Sequence, residues 1–319
     1  MTWVETDSLS FKARHDDADV ACAHRVLDSL EDMRMRLEER FDEVPGDVTT
    51  IIHDNPAWLS AAHPLLPAVR WAAAPAARRY LVGWPMAGEI HMLNDSWMER
   101  RSAGEDSLRA LRGTSERIYC QIVLAANNDA LPPMWTPKRF VTYLRWAWMI
   151  EGAAQYFTGQ TALFRAAVIT RLREGERPQF PPTRRDAVIL GGTVFDLLDR
   201  HAGPEACRML VTRLHRDGPE GNLQLAFDAP MNVIERAWRM HLDEIVYPQS
   251  ERLEAQSLTE ALEEPDLDRG LGQPPEFSFD PTQRRRSRRR QIQEIDEEGG
   301  ESDRDDQADG EPERRADPW

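Results

Sequence analysis

The sequence predicts an α+β protein with a small mixed N-terminal β-sheet and its helices, followed by a helical half and a disordered charged tail. Three observations carry this expectation. Before residue 104 the strongest patterns are short β-branched or alternating stretches. From residue 106 they are long segments of helical period, broken by Pro and Gly. Beyond Tyr247 the apolar content falls away.

Taken in order, "SLSFKARH" (8–15) alternates as a half-buried strand does, and "DVTTIIHD" (47–54) is β-branched and apolar. Between them Val20, Leu27, Leu30, Leu37 and Phe41 recur at helical spacing through residues 18–42. A strand–helix–strand unit therefore opens the fold. "RRYLVGWP" (78–85) and "GEIHMLND" (88–95) read as two further strands around a Pro-Met-Ala-Gly turn. Helices are expected over 106–126, 137–158, 161–173, 186–201, 204–216 and 230–245. The breaks between them fall at "LPPMWTP", "GERPQFPPT", "HAGP" and "FDAP". One folded domain, 1–249, is thus expected, with its sheet part over 8–104 and its helical part over 105–245. Residues 250–319 hold an Arg cluster, Arg284–Arg286 and Arg288–Arg290, then an acidic run. Such a segment buries too little apolar surface to fold and is expected to be disordered.

Composition narrows the function. The chain has 319 residues and a net charge of −15, which opposes general DNA binding, where a basic surface supplies most of the affinity. Much of that charge sits in residues 291–319, with twelve Asp or Glu against three Arg. Nucleic acid could be reached only through Arg284–Arg290, and a screened, solvated polyampholyte is the favoured reading of that cluster. Cys22, Cys120 and Cys207 are odd in number and lack CxxC spacing, so reduced thiols in a cytoplasm are expected. "MTWVETDSLSF" lacks the basic-then-apolar form of a signal peptide, and no apolar run reaches the ~20 residues of a membrane span. A cytoplasmic protein without membrane contact is expected.

The chemistry concentrates on two stretches. In "LRGTSERIYCQIVLAANN" (111–128), Ser115, Glu116 and Tyr119 stand at the spacing of a zinc-binding His-Glu-x-x-His frame. That frame works because residues four apart share a helix face and can aim at one metal, while the Glu between them activates the bound water. In "RWAWMIEGAAQYFTGQ" (145–160), Glu151 stands alone among Trp148, Ile150 and Ala153, with Tyr156 and Phe157 one turn on. A buried carboxylate needs a partner, because desolvating it unpaired is costly.

"WMIEGAAQYF" resembles the W-L-x-E-G-L-A-E-Y segment of peptidase MA-like gluzincins, the thermolysin-like zinc metallopeptidases. The order of the other segments fits too. The strand–helix–strand start and "GEIHMLND" resemble that family's N-terminal sheet. "LRGTSERIYCQIV" lies where its zinc-binding helix belongs, and "GGTVFDLLDRHAGPEACRMLVTRLHRDG" with "NVIERAWRMHL" are similar to its C-terminal helical module. The resemblance covers about residues 8–245 and implies a zincin-like fold with a zinc cofactor. It makes Glu151 the third zinc ligand and Glu116 the general base. It also puts Ser115 and Tyr119 where two imidazoles belong, so two of three ligand positions are lost and no metal is expected. A neutral serine hydroxyl binds zinc poorly, and tyrosine would have to ionise from a pKa near ~10. The 187–195 stretch "AVILGGTVF" also lacks the Tyr that active relatives place there.

These readings yield an expected pseudopeptidase that binds a peptide or protein partner in the relic cleft, along an edge strand near residues 87–94. His91 lies on that strand, where a plain polar residue is the commoner reading. Trp146, Trp148 and Tyr156 are expected to line the cleft. Without a metal, Glu151 should be hydrogen-bonded by Ser115 and Tyr119, or else meet an arginine, with Arg117 and Arg145 nearest in sequence. Two alternatives stand beside this one. The first is a hydrolase that uses Glu116 with unusual metal ligands, or pairs it with Glu151 as acid and base without a metal. The second is an interaction protein acting through its tail.

Overall fold

The computed structural model describes residues 2–63, 65–131 and 137–247. The expected disordered tail, 250–319, with Arg284–Arg290 in it, lies outside the described residues. In chain order the elements are β1 (Trp3–Asp7), β2 (Phe11–Asp16), α1 (Val20–Glu38), β3 (Val48–His53), α2 (Pro56–Ala62), α3 (Leu66–Ala72) and α4 (Pro75–Arg78). Then come β4 (Gly83–Met86), β5 (Glu89–Leu93), α5 (Asp95–Arg101), α6 (Glu105–Arg112), α7 (Thr114–Asn127) and α8 (Pro137–Phe157). The remainder is α9 (Arg165–Arg173), α10 (Ala187–Ala202), α11 (Pro204–Thr212), α12 (Pro219–Phe227) and α13 (Met231–Val246). The α+β class is therefore as expected. Among the described residues, no helix is long and apolar enough to cross a membrane.

The five strands form one mixed sheet in the order β1-β2-β3-β5-β4. β2, β3 and β5 run parallel, while β1 and β4 close the two sides antiparallel. Residue alternation sets the faces. Phe11, Ala13 and His15 of β2 point into the core while Lys12 and Arg14 face out, as a period of two requires. α1 packs on β2 with Cys22, Val26, Leu30, Met33 and Leu37, all buried.

This topology corrects one expectation. Residues 87–94 do not form an edge, because β5 lies between β3 and β4 and its His91 is buried. The outer edge belongs to β4, where Pro85 lacks an N–H to offer a further strand.

α7 is the central helix and contacts α1, β4, β5 and α8. The expected single helix over 106–126 is split by Gly113 into α6 and α7. α8 packs most extensively on α10. Their crossing is close because a Cβ on Gly152 would be driven into the Gly191 backbone, and the reverse also holds. The Gly-Gly pair of "ILGGTV" is thus a packing device. α9 is pinned to the start of α10 by the buried pair Arg171 Nε–Asp186 Oδ1, 2.5 Å apart. Cys22, Cys120 and Cys207 are buried free thiols.

Candidate functional site

The carboxylate that the sequence singles out, Glu151, is buried on α8. Tyr143, two turns earlier on the same helix, donates its hydroxyl to Glu151 Oε1 at 2.8 Å. Gln121 of α7 supplies a further side-chain hydrogen bond, and the Arg117 guanidinium acts on the same carboxylate through its charge. Burial pushes the Glu151 carboxyl up from its ordinary value, against these three groups. Burial also pushes the Tyr143 hydroxyl well up.

Ser115 and Tyr119 do not reach Glu151. The Tyr119 hydroxyl donates to the Pro45 carbonyl at 2.8 Å, and its ring meets Phe11 of β2 edge-on at 4.9 Å. Ser115 is fully buried and its Oγ has no hydrogen-bond partner. Neither expected hydroxyl is the partner: Tyr143 takes that place, and an arginine acts on the carboxylate through its charge, with no ion pair between the two among the described residues. That arginine is Arg117 and not Arg145, which is exposed with its guanidinium over the Trp146 ring at 5.6 Å. The cause is helical geometry. Arg117 and Gln121 form an i, i+4 stripe that meets α8, whereas the Tyr119 stripe, two residues out of step, turns toward the sheet.

Arg117 is buried and well held. Its Nη1 donates to the Ala110 carbonyl at 2.6 Å and to Gln160 Oε1 at 2.9 Å, and its Nη2 donates to Thr114 Oγ1 at 3.1 Å. The guanidinium lies over the Phe164 ring at 5.3 Å. Burial lowers its pKa from the ordinary value, while Glu151 and then Glu116 raise it. Guanidinium stays charged in proteins, so a fixed cation serves two carboxylates.

Gln160 links the second carboxylate to this group. Its Nε2 donates to Glu116 Oε2 at 3.1 Å and to the Gly113 carbonyl at 3.0 Å. Gly113 is needed for that approach, since a Cβ there would strike the Gln160 amide. Glu116 is half-buried. Burial raises its pKa, with Arg36, Gln160 and Arg117 pulling the other way. Glu116, Gln160 and Arg117 thus make one hydrogen-bonded group and Glu151, Gln121 and Tyr143 another, coupled by the charge of Arg117 on Glu151. Gln160, Gln121 and Tyr143 escaped the sequence reading, because only their long-range contacts distinguish them.

The remaining candidates separate. Trp148 is buried with its ring near Phe195, and it lines a cleft of about 810 Å³ together with Leu144 and Arg145. Tyr156 instead stacks on Phe195 at 5.9 Å and hydrogen-bonds toward Asp199 and Cys207. His91 hydrogen-bonds His53 at 3.0 Å across β3 and β5, and Glu89 at 3.2 Å. Burial pushes His53 down to about 4. Among the described residues, no group of three or more His, Cys, Asp or Glu side chains is arranged to hold a metal ion.

Chemically, the network can hold a buried positive charge against two carboxylates. It presents neither an imidazole nor an exposed nucleophile. No family model, curated protein or solved structure matches the chain.

Proposed function

We propose that this domain is a catalytically inactive, metallopeptidase-like binding module that holds a peptide or protein partner in the cleft walled by α8. In the enzymes it resembles, a zinc ion offsets the charge of the carboxylates, and here the Arg117 guanidinium takes over that electrostatic role. The observation that carries the reading is which face of α7 meets Glu151. That face presents Arg117 and Gln121 at i, i+4, with Ile118 between them beside Gly83 of β4. The frame that corresponds to the zinc helix is therefore Arg117-Ile118-x-x-Gln121, two residues on from Ser115-Glu116-x-x-Tyr119. A guanidinium has no lone pair for a metal, and isoleucine cannot act as a base. This supports loss of the general base as well as of both imidazoles.

The competing reading is a hydrolase that uses Glu116 as base, favoured by the upward shift that burial gives its carboxyl. One comparison separates the two. The wild-type protein and Glu116→Gln are incubated with a fluorogenic peptide pool, and the zinc content of each is measured by mass spectrometry. The binding-module reading expects equal background cleavage and far less than one zinc per chain. Cleavage that disappears in Glu116→Gln, or stoichiometric zinc in the wild type, removes it.

A further inference from the structure

A second site lies outside the buried network. α3, α8, the 181–185 segment and the start of α12 enclose the cleft of about 810 Å³. Arg145, Arg184 and Arg185 line it. Arg185 is committed to Glu176. Among the described residues, the side chains of Arg145 and Arg184 have no ion-pair or hydrogen-bond partner. Trp148, 3% exposed, also walls the cleft.

Chemistry continues into a neighbouring apolar hollow of about 220 Å³ that shares Ala72, Leu144 and Arg184 with the first. Its other walls include Val69, Trp71, Phe140 and Val188. Trp71 is 81% exposed, a large apolar ring left at the mouth of a hollow rather than in the core. Asp217 and Glu220 also line the larger cleft, next to Arg145, whose guanidinium lies against Gly218. They disfavour a second negative charge on any occupant.

We infer that this double cleft binds a monocarboxylate carried on an aromatic or branched aliphatic body, with the carboxylate at Arg145 and Arg184 and the body in the hollow. Bidentate geometry suits guanidinium to a carboxylate, and the two acids that share the cleft select one charge over two. Such a ligand has two sources, a free organic acid or the C-terminus of a peptide ending in an apolar residue. The inference stands on the cleft itself, and only its peptide source rests on the proposed function.

Isothermal titration of the full chain tests it with four probes. These are 3-phenylpropanoate, its neutral amide, N-acetyl-Ala-Ala-Phe with a free carboxylate, and the same peptide amidated. At least one acid is expected to bind tenfold or more tightly than its amide. Arg184→Gln and Arg145→Gln, both at exposed positions, should each weaken the acid at least fivefold and leave the amide unchanged. Binding of the peptide acid alone assigns the ligand to a protein C-terminus. Binding of the free acid alone keeps the carboxylate site and removes the peptide-partner reading. Equal affinity for acid and amide overturns the inference, as does no saturation by either acid at millimolar concentration with circular dichroism unchanged.

Discussion

At the scale of single residues, the decisive side chain is Arg117. Isolated, a buried guanidinium is among the costliest groups a core can hold. Here it is compensated twice, by Glu151 and Glu116, and its N–H groups go to Ala110, Gln160 and Thr114. Removing it strands Glu151 as an uncompensated buried carboxylate, with only Tyr143 and Gln121 beside it. Arg117→Met is therefore expected to lower stability by about 3 kcal/mol in urea unfolding at pH 7. Adding Glu151→Gln should return a substantial part of that loss, because the stranded charge is gone. An Arg117→Met protein as stable as wild type would show that the guanidinium balances nothing. The sequence made Glu151 conspicuous, since one carboxylate among Trp, Ile and Ala is visible in a string. It could not name the partner. Tyr143, two turns back on α8, and Arg117, on another helix, look like ordinary members of their segments.

At the scale of elements, the same limit becomes a matter of rotation. Each helical residue turns the chain by about 100°, so a frame misplaced by two residues faces nearly the opposite way. α7 is buried almost all round, with Ser115, Arg117, Ile118, Tyr119 and Gln121 all covered, so its pattern does not say which stripe meets α8. The strands of the sheet were easier to read, because Val48–His53 and Phe11–Asp16 carry β-branched or alternating residues. β1 was missed, since "WVETD" has no fully buried position to mark it. α2 to α5 are too short for a helical period to register. The rotation of α7 yields a constructive prediction. If Arg117 and Gln121 occupy the metal-facing stripe, the double variant Arg117→His/Gln121→His sets two imidazoles beside Glu151, the donor set of a catalytic-type zinc site. Without metal the variant should be less stable than wild type, and one equivalent of zinc should bind and raise its Tm by several degrees. The same exchange at Ser115 and Tyr119 should give no zinc-dependent gain. Zinc binding by the second variant and not the first would restore the original frame.

At the scale of the whole molecule, stability should depend on acidity through histidines buried as neutral bases. Burial lowers His53, His63 and His241 to about 4 from an ordinary value of 6.5. A base held below its unfolded value leaves the unfolded chain with more protons in the intervening range. Its contribution is complete above pH 6.5 and is lost as pH falls from 6.5 toward 4. Asp196, raised by burial to about 6, acts with the opposite sign, since its protonated form is favoured in the fold. Asp19, Glu116 and Glu151 are raised by burial too and act in the same sense as Asp196, so the histidine contribution has to be read on a single residue. His241 isolates the effect. It is buried on α13, neither ring nitrogen has a hydrogen-bond partner, and the charged groups acting on it are Arg200 and Glu244. His241→Leu removes both the titration and the unpaired nitrogens. Its stability relative to wild type, from urea unfolding at half-unit steps, should be nearly constant above pH 7 and rise by about 1–3 kcal/mol between pH 6.5 and 4.5. A flat difference across that interval would mean that His241 charges in the folded state as readily as in the unfolded one.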